Sequence, residues 1–238
     1  MTRPTVQIPT LDPEQSVITL TGPHFHYLVR VRRIAPGYMI RALDDQGQTA
    51  LLEVTSIAED HLVLAIRELV GASPVTHPLT IVCSPLKNRR TPEIVANCAE
   101  LGVERLVLVH LQRTVARFRS ERLERLTRVA REAARRVSQP RTTEIELVAH
   151  LDQAITASTD AQRYFLWEDS GSPLTSLPLQ EPGERVLFIG PEGGFAPEEV
   201  TQFQIAGIPP VRFNGPAYQA STAIFLAATL FMHHMGRI

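Results

Sequence analysis

Apolar and polar residues alternate in short runs along the first part of the chain, a pattern typical of strands that are buried on one face. The runs cover residues 16–20, 38–43, 50–57 and 61–70. Residues 44–47 separate two of them with the polar and glycine residues of a hairpin turn. We therefore expect an all-β domain over residues 1–72 and a linker around residues 71–74.

From Leu79 onward, compact apolar runs alternate with amphipathic segments, which predicts a parallel sheet covered by helices on both faces. The predicted strands are residues 79–84, 105–110, 163–168, 185–190 and 210–213. The predicted helices are residues 91–101, 120–137, 197–206 and 221–234. Thr91 and Ser120 are the expected N-caps of the first two. The second would bury a stripe of Leu123, Leu126, Ala130, Ala133 and Val137. Residues 73–238 thus form an α/β domain.

Composition excludes several classes of protein. The chain has 238 residues, 44% apolar and 21% charged, and no apolar run long enough to span a bilayer. Met1 is not followed by the apolar core of a signal peptide, so we expect a cytoplasmic location and no membrane partner. Cys83 and Cys98 lie outside any CxxC motif or Cys/His cluster, so we expect buried thiols and no metal site.

The net charge of −1 hides a strongly basic segment. Residues 113–141 contain ten arginines and three glutamates. Such a local excess favours contact with phosphates or another anionic surface, although a solvated arginine-rich face is the commoner structural explanation. The predicted second helix carries five of these arginines: Arg122, Arg125, Arg128, Arg131 and Arg135.

Familiar nucleotide and hydrolase motifs are missing. The single lysine, Lys87, does not follow a phosphate-binding glycine loop, and the chain contains no GxGxxG, HExxH or GxSxG sequence. Two irregular loops remain, GPEGG at residues 190–194 and NGPAYQA at residues 214–220, each directly after a predicted strand. Ligands of open parallel sheets bind beyond the carboxyl ends of the strands.

Glycines in these loops would let the main chain approach a ligand directly, which suits a flat heteroaromatic group such as adenine. Taken alone, GPEGG is better explained as a tight turn between a strand and a helix, because such turns are common and binding sites are few. A second loop of the same kind, one strand later, favours a binding site.

The same residues resemble a known family. LFIGPEGGFAPEE at residues 187–199 is similar to a motif of the RsmE family, SPOUT-class methyltransferases that act on N3 of a uridine in 16S ribosomal RNA. HYLVRVRR at residues 26–33 resembles the family's N-terminal signature, and AELGV at residues 99–103 resembles its TELGV motif. Lys87 and Arg113 stand at the positions of a family lysine and arginine.

The resemblance implies a PUA-like β-barrel domain followed by a SPOUT α/β domain with a trefoil knot, which acts as a homodimer packed through the last helix. It also implies S-adenosyl-L-methionine as cofactor, and 16S rRNA or the small ribosomal subunit as the RNA partner. The cofactor-binding residues on this mapping are Leu166, Trp167, Glu168, Ile189, Gly190, Pro191, Glu192, Gly193, Gly194, Phe213, Asn214, Gly215, Tyr218, Gln219, Ala220 and Thr222. The RNA-binding residues are Arg30, Arg32, Arg33, Arg89, Arg90, Arg122, Arg125 and Arg128.

The second loop departs from the family pattern. Ala217, Ala220 and Thr222 stand where the family has two arginines and a glutamate. Methyl transfer to uracil N3 requires loss of the N3 proton, which a nearby cation favours. Candidates to supply that cation are Arg30, Arg33, Lys87, Arg89, Arg90 and Arg113, each of which could instead be a solvated surface charge. The departures leave two alternatives open: a SPOUT methyltransferase that acts on another RNA or a small molecule, and a non-catalytic RNA-binding homologue.

Overall fold

The chain forms two compact units, Met1–Pro74 and Val75–Ile238, in a computed structural model. The structure describes residues 4–44, 47–71, 75–87, 90–116, 120–168 and 170–238. The expected domain boundary after residue 72 lies outside these ranges, as do two residues of the predicted hairpin turn at 44–47.

The N-terminal unit is a mixed five-stranded sheet in the order β1-β3-β4-β5-β2. Its strands are β1 (Thr5–Gln7), β2 (Val17–Thr21), β3 (Met39–Leu43), β4 (Thr49–Ile57) and β5 (His61–Val70). β1 and β3 are parallel, whereas the other pairs are antiparallel. Alternate side chains form the core, including the fully buried Ile40, Leu52, Val54, Leu62 and Leu64. The four predicted strands are therefore confirmed, and the pairing of β3 with β4 confirms the predicted hairpin.

The segment between β2 and β3 contains a short helix, α1 (Gly22–Phe25), that continues into a π-helical turn (His26–Val31). Neither was predicted from the sequence. A π-helical turn accommodates an additional residue. After the buried Leu28, the next fully buried position is accordingly Ile34, and residues 30–33 are all exposed.

The C-terminal unit is a parallel seven-stranded sheet in the order β10-β12-β9-β11-β6-β7-β8. Its strands are β6 (Leu79–Cys83), β7 (Arg105–Val109), β8 (Glu144–Val148), β9 (Gln162–Leu166), β10 (Ser172–Pro173), β11 (Arg185–Ile189) and β12 (Pro210–Arg212). Its helices are α2 (Arg90–Leu101), α3 (Leu123–Arg136), α4 (Leu151–Ala157), α5 (Pro197–Ile205) and α6 (Ala220–His234). The five predicted strands and four predicted helices of this unit are confirmed within a few residues.

The sheet has an apolar core on each face. Helices α2, α3 and α6 contribute to one cluster, which includes Ile94, Leu126 and Ala227. Helices α4 and α5 contribute to the other, which includes Leu151 and Phe203. Helices on both faces explain why the central strands are apolar at almost every position. Among the described residues, no helix is both long and apolar enough to cross a membrane.

Three local predictions were wrong. Ser120 does not cap α3 but begins a 3₁₀ turn (Ser120–Arg122), and no side chain caps the helix itself. Thr91 lies inside α2, where its Oγ1 accepts a hydrogen bond from Leu86 N at 2.9 Å. Val137 follows α3 and is 50% exposed. A polar residue beside an apolar stripe marks a helix start only to within a turn.

Candidate functional site

A cavity of about 600 Å³ lies at the carboxyl ends of β9, β11 and β12. Its walls contain thirteen of the residues predicted to bind cofactor: Leu166, Trp167, Glu168, Ile189, Gly190, Pro191, Glu192, Gly193, Gly194, Phe213, Gly215, Tyr218 and Ala220. The other three, Asn214, Gln219 and Thr222, are not among its lining residues. The two predicted loops and the end of β9 are therefore brought together around one concave site.

The sequence reasoning missed several lining residues: Phe195, Pro197, Val200, Arg212 and Ala223. Pro216 and Ala217, inside the second predicted loop, also line the cavity. Most of these are apolar positions that the pattern assigned to the core or to the start of a helix. Only their position at a strand end or at the first turn of α5 or α6 could have indicated exposure to a ligand.

The loop after β11 is held by main-chain contacts. Gly194 N donates to Pro191 O at 2.9 Å, and Gly194 has a φ of 70°, which favours glycine. A Cβ at Gly190 would lie 3.2 Å from Gly194 C and from Phe195 N. The loop thus folds tightly back on itself because Gly190 has no side chain.

A buried carboxylate joins this loop to the one after β7. Glu199, only 3% exposed, accepts hydrogen bonds from Ala196 N and from Gln112 N, both at 2.8 Å. The first bond satisfies an orphan donor at the start of α5, and the second fixes the neighbouring loop. Glu199 therefore positions two walls of the site without contacting the cavity itself.

Aromatic side chains support the wall formed by the end of β9. Trp167 stacks on Phe165 with ring centroids 5.8 Å apart, and its backbone N donates to Val211 O at 2.8 Å. Phe165 stacks in turn on Phe203 at 4.6 Å. Trp167 is half-buried and lines the cavity, so it is a wall residue as well as part of the core.

The loop after β12 presents a tyrosine beside glycine. Tyr218 packs edge-to-face on Phe213 with centroids 5.3 Å apart, and its Oη lies 3.2 Å from where a Cβ of Gly215 would be. Ala217 and Ala220 face this cavity with methyl groups only. Arg212 also lines it, but its Nε donates to Gly171 O at 3.2 Å.

Three of the candidate cations meet in a neighbouring cavity of about 300 Å³. Lys87 and Arg113 line it together with Arg90 and Glu192. Arg113 Nη1 donates to Gly193 O at 2.8 Å, which places this side chain in the walls of both cavities.

The remaining predicted RNA-binding residues lie elsewhere. Arg30, Arg32 and Arg33 are exposed on and just after the π-helical turn of the N-terminal unit, and Arg33 has a φ of 53°. On and just before α3, Arg122, Arg125 and Arg128 are exposed. Arg89 lies outside the described residues.

Buried thiols are the most strongly perturbed titratable groups among the described residues. Burial raises the pKa of Cys98 to about 12, and burial followed by the proximity of Cys98 raises that of Cys83. Both lie in the core shared by β6 and α2 rather than at either cavity. In the part of the chain that is described, no group of three or more His, Cys, Asp or Glu side chains could hold a metal ion.

Comparison with known proteins identifies both units. Residues 73–232 match a family described as RNA methyltransferase domain, and residues 20–67 match one described as RNA methyltransferase PUA domain. The chain is 26% identical over 231 residues to ribosomal RNA small subunit methyltransferase E of Mycobacterium bovis, covering 92% of this chain and 87% of that protein.

Solved structures show the same fold. A probable rRNA methyltransferase from Porphyromonas gingivalis superposes with a TM-score of 0.82 at 22% identity, covering 98% of each chain. The ribosomal RNA small subunit methyltransferase E of Neisseria gonorrhoeae, solved with bound S-adenosyl methionine, superposes with a TM-score of 0.79 at 18% identity, also covering 98% of each chain. The expected PUA-like unit followed by a SPOUT-type α/β domain is confirmed, and the chain belongs to the RNA methyltransferase domain family.

Proposed function

We propose that the protein transfers a methyl group from S-adenosyl-L-methionine to N3 of a uridine in 16S ribosomal RNA. The observation that carries this proposal is the cavity at the ends of β9, β11 and β12, whose walls are the two glycine-containing loops and the end of a third strand. Support for the RNA substrate comes from the family and from the rRNA methyltransferase names of the relatives.

The cavity suits the cofactor in size and in chemistry. Its volume of about 600 Å³ falls in the usual range for sites that enclose a small molecule. Main-chain groups of residues 190–194 and 213–215 would recognise the edge of the adenine ring, because the glycines leave them accessible. The carboxylates of Glu168 and Glu192 would accept hydrogen bonds from the ribose hydroxyls of the cofactor or attract its positively charged sulfonium.

The bound cofactor would supply an electrophilic methyl group on a sulfonium. The protein's part is to hold the acceptor nitrogen in line with that methyl group, to exclude competing water and to favour the deprotonated uracil. Ala217 and Ala220 provide no charge for the last task. Arg113, oriented by its bond to Gly193 O, is a cation that already stands in the cavity wall.

Two exposed basic surfaces would bind the RNA backbone. One is the π-helical turn with Arg30, Arg32 and Arg33, and the other is the face of α3 with Arg122 and Arg125. Arg128 belongs to the second surface. Phosphate contacts of this kind position an RNA without reading its sequence.

A homodimer formed through α6 is part of the proposal. Phe225 on this helix is 41% exposed, and Leu226 and Leu230 beside it are only half-buried in the single chain. An apolar helix face of this kind commonly forms a symmetric interface. We also propose that the chain between β11 and α6 threads a trefoil knot, and that the protein acts in the cytoplasm, where its RNA substrate is assembled.

A second candidate function is methylation of a different RNA by the same cofactor and fold. Ala217, Ala220 and Thr222 favour it, because the polar side chains expected beside the methyl group are missing from this loop.

Purified protein incubated with radiolabelled S-adenosyl-L-methionine and equal amounts of unmodified 16S rRNA, 23S rRNA and tRNA separates the two functions. Label in 16S rRNA alone is the expected result. Label in another RNA alone would favour the second candidate. Labelling of none, with no cofactor binding by calorimetry at millimolar concentration, would contradict both enzymatic functions and leave a non-catalytic RNA-binding protein.

A further inference from the structure

The smaller cavity adjoins the larger one. It is lined by Lys87, Arg90, Arg113, Val115, Glu192 and Gly193. Arg113, Glu192 and Gly193 also line the larger cavity, so the two share a wall. Strands β11, β6 and β7 are neighbours in the sheet, and the lining residues follow their carboxyl ends. This is also the point at which strand order reverses, the usual ligand position in such sheets.

Positive charge dominates this cavity. Among the described residues that line it, three cationic side chains face one carboxylate, that of Glu192. The bond from Arg113 Nη1 to Gly193 O uses one of five guanidinium donors and fixes the orientation of the others. Because Lys87 and Arg113 are exposed and Arg90 is half-buried, a ligand can reach all three.

On the basis of the proposed function, we infer that the smaller cavity receives the target uracil, and that Lys87, Arg90 and Arg113 stabilise the negative charge that forms on its ring. The N3 proton leaves to water, and the resulting charge is shared between N3 and the two ring carbonyl oxygens. The N3–C bond then forms while the C–S bond breaks, and the bonding electrons remain on the sulfur as a neutral thioether.

Other described cations fit this role less well. Arg212 lines the larger cavity, but its guanidinium donates to Gly171 O and Phe213 O. The loop after β12 offers only the methyl groups of Ala217 and Ala220 at the positions where a cation was expected. The charge therefore comes from the loops after β6 and β7, on the other side of β11.

The first test removes single charges. In Lys87→Met and Arg90→Met, we expect kcat on uridine-containing rRNA to fall about 100-fold, as for loss of one donor that stabilises a developing anion. The Kd for S-adenosyl-L-methionine should stay within about twofold of wild type, since neither residue lines the larger cavity. The matched control is Arg67→Met, an arginine of the N-terminal unit that pairs with Glu53.

The second test changes the acidity of the acceptor. In rRNA that contains 5-fluorouridine, the N3 proton is more acidic, so its removal depends less on stabilisation of the anion by cationic side chains. The wild-type cations already favour the deprotonated ring, so the lower pKa of N3 accelerates the variant more than the wild type, and the ratio of wild-type to variant kcat should shrink by up to about tenfold for each unit of pKa. A residue that only maintains the fold would lose the same factor on both RNAs.

The outcomes distinguish failure of this inference from failure of the proposed function. Equal loss of kcat on uridine and fluorouridine RNA, or a rise in KM alone, would overturn the inference while the proposed function stands. Failure of wild-type protein to methylate uridine in either RNA would overturn the proposed function together with the inference. A smaller ratio of wild-type to variant kcat on fluorouridine RNA than on uridine RNA, with cofactor affinity unchanged, would support both the inference and the proposed function.

Discussion

Gly190 illustrates how a missing side chain shapes the site. Its Cα stands where the chain leaves β11, and a Cβ there would lie 3.2 Å from backbone atoms of Gly194 and Phe195. Backbone atoms at that distance have little freedom to move, so added volume displaces the whole loop.

Gly190→Ala is therefore expected to weaken binding of S-adenosyl-L-methionine about tenfold, which corresponds to about 1.4 kcal/mol of strain in the loop. Isothermal titration calorimetry measures the Kd for the cofactor directly. Gly71→Ala serves as the control, because a Cβ at Gly71 meets no atom within 4 Å. Equal weakening in both variants, or in neither, would show that the loop is not held as described.

Arg113 shows the limit of reasoning from sequence at single positions. Its position after β7 and its resemblance to a family arginine made it a candidate cation. The hydrogen bond to Gly193 O places the Arg113 side chain between two cavities, and it joins residues that are 80 positions apart in the chain. No local pattern encodes such a distant pair, whereas the glycine loops were predictable because each follows its own strand directly.

The start of α5 is organised by a side chain that does not line the larger cavity. Glu199 accepts hydrogen bonds from Ala196 N in its own helix and from Gln112 N in the loop after β7. Removing the carboxylate leaves two backbone N–H donors without a partner in a buried region, and unsatisfied buried donors destabilise the folded state.

We expect Glu199→Ala to lower the free energy of unfolding by about 3 kcal/mol and Glu199→Gln by about half as much. Urea denaturation followed by the fluorescence of Trp167, the single tryptophan, reports on the unit concerned. Glu198→Ala, the exposed neighbouring position, should change stability by less than about 0.5 kcal/mol. An equally large decrease in the free energy of unfolding for Glu198→Ala would contradict the role assigned to Glu199.

Helix α3 and the turn before it carry the second basic surface. If Arg122, Arg125 and Arg128 contact phosphates, replacing all three by glutamine should reduce the slope of log affinity against log salt concentration by about 2. Fluorescence anisotropy with a labelled 16S rRNA fragment over a salt series measures the slope. Arg67→Gln, which removes a charge already paired with Glu53, should leave it unchanged. An unchanged slope in the triple variant would show that these three arginines are solvated and do not contact phosphates.

Elements missed from the sequence share a physical reason: none shows the pattern that identified its neighbours, which was a regular alternation in the N-terminal unit and a compact apolar run or a long amphipathic segment in the C-terminal unit. β8 alternates charged and apolar residues at the edge of the parallel sheet, and α4 has only seven residues. The π-helical turn follows neither the period of a strand nor that of an α-helix. Doubly covered strands and helices with a continuous apolar stripe were predictable because burial requires their pattern.

The proposed dimer depends on an apolar face that the single chain leaves exposed on α6. Phe225→Arg should convert a dimer to a monomer, because a charge at the centre of an apolar interface is not compensated. Light scattering after size-exclusion chromatography gives the mass. Ile205→Arg is the control: Ile205 on α5 is 82% exposed but lies outside the proposed interface. A wild-type protein that is monomeric at micromolar concentration would contradict the dimer.

The order of strands in the C-terminal sheet could not be derived from the sequence. Alternation of strands and helices predicts a parallel sheet but permits many orders, and the observed one places β11 between β9 and β6. That arrangement puts the glycine-containing loop after β11 between the loop after β12 on one side and the cationic loops after β6 and β7 on the other. The candidate site therefore depends on a topology that only the three-dimensional structure reveals.

We propose above all that this arrangement methylates N3 of a uridine in 16S rRNA. Unmodified 16S rRNA incubated with the protein and S-adenosyl-L-methionine carrying a deuterated methyl group can be digested to nucleosides and analysed by mass spectrometry. We expect deuterated 3-methyluridine as the product, with its yield strongly reduced in the Arg90→Met variant. Deuterium in any other nucleoside, or in none, would contradict the proposal.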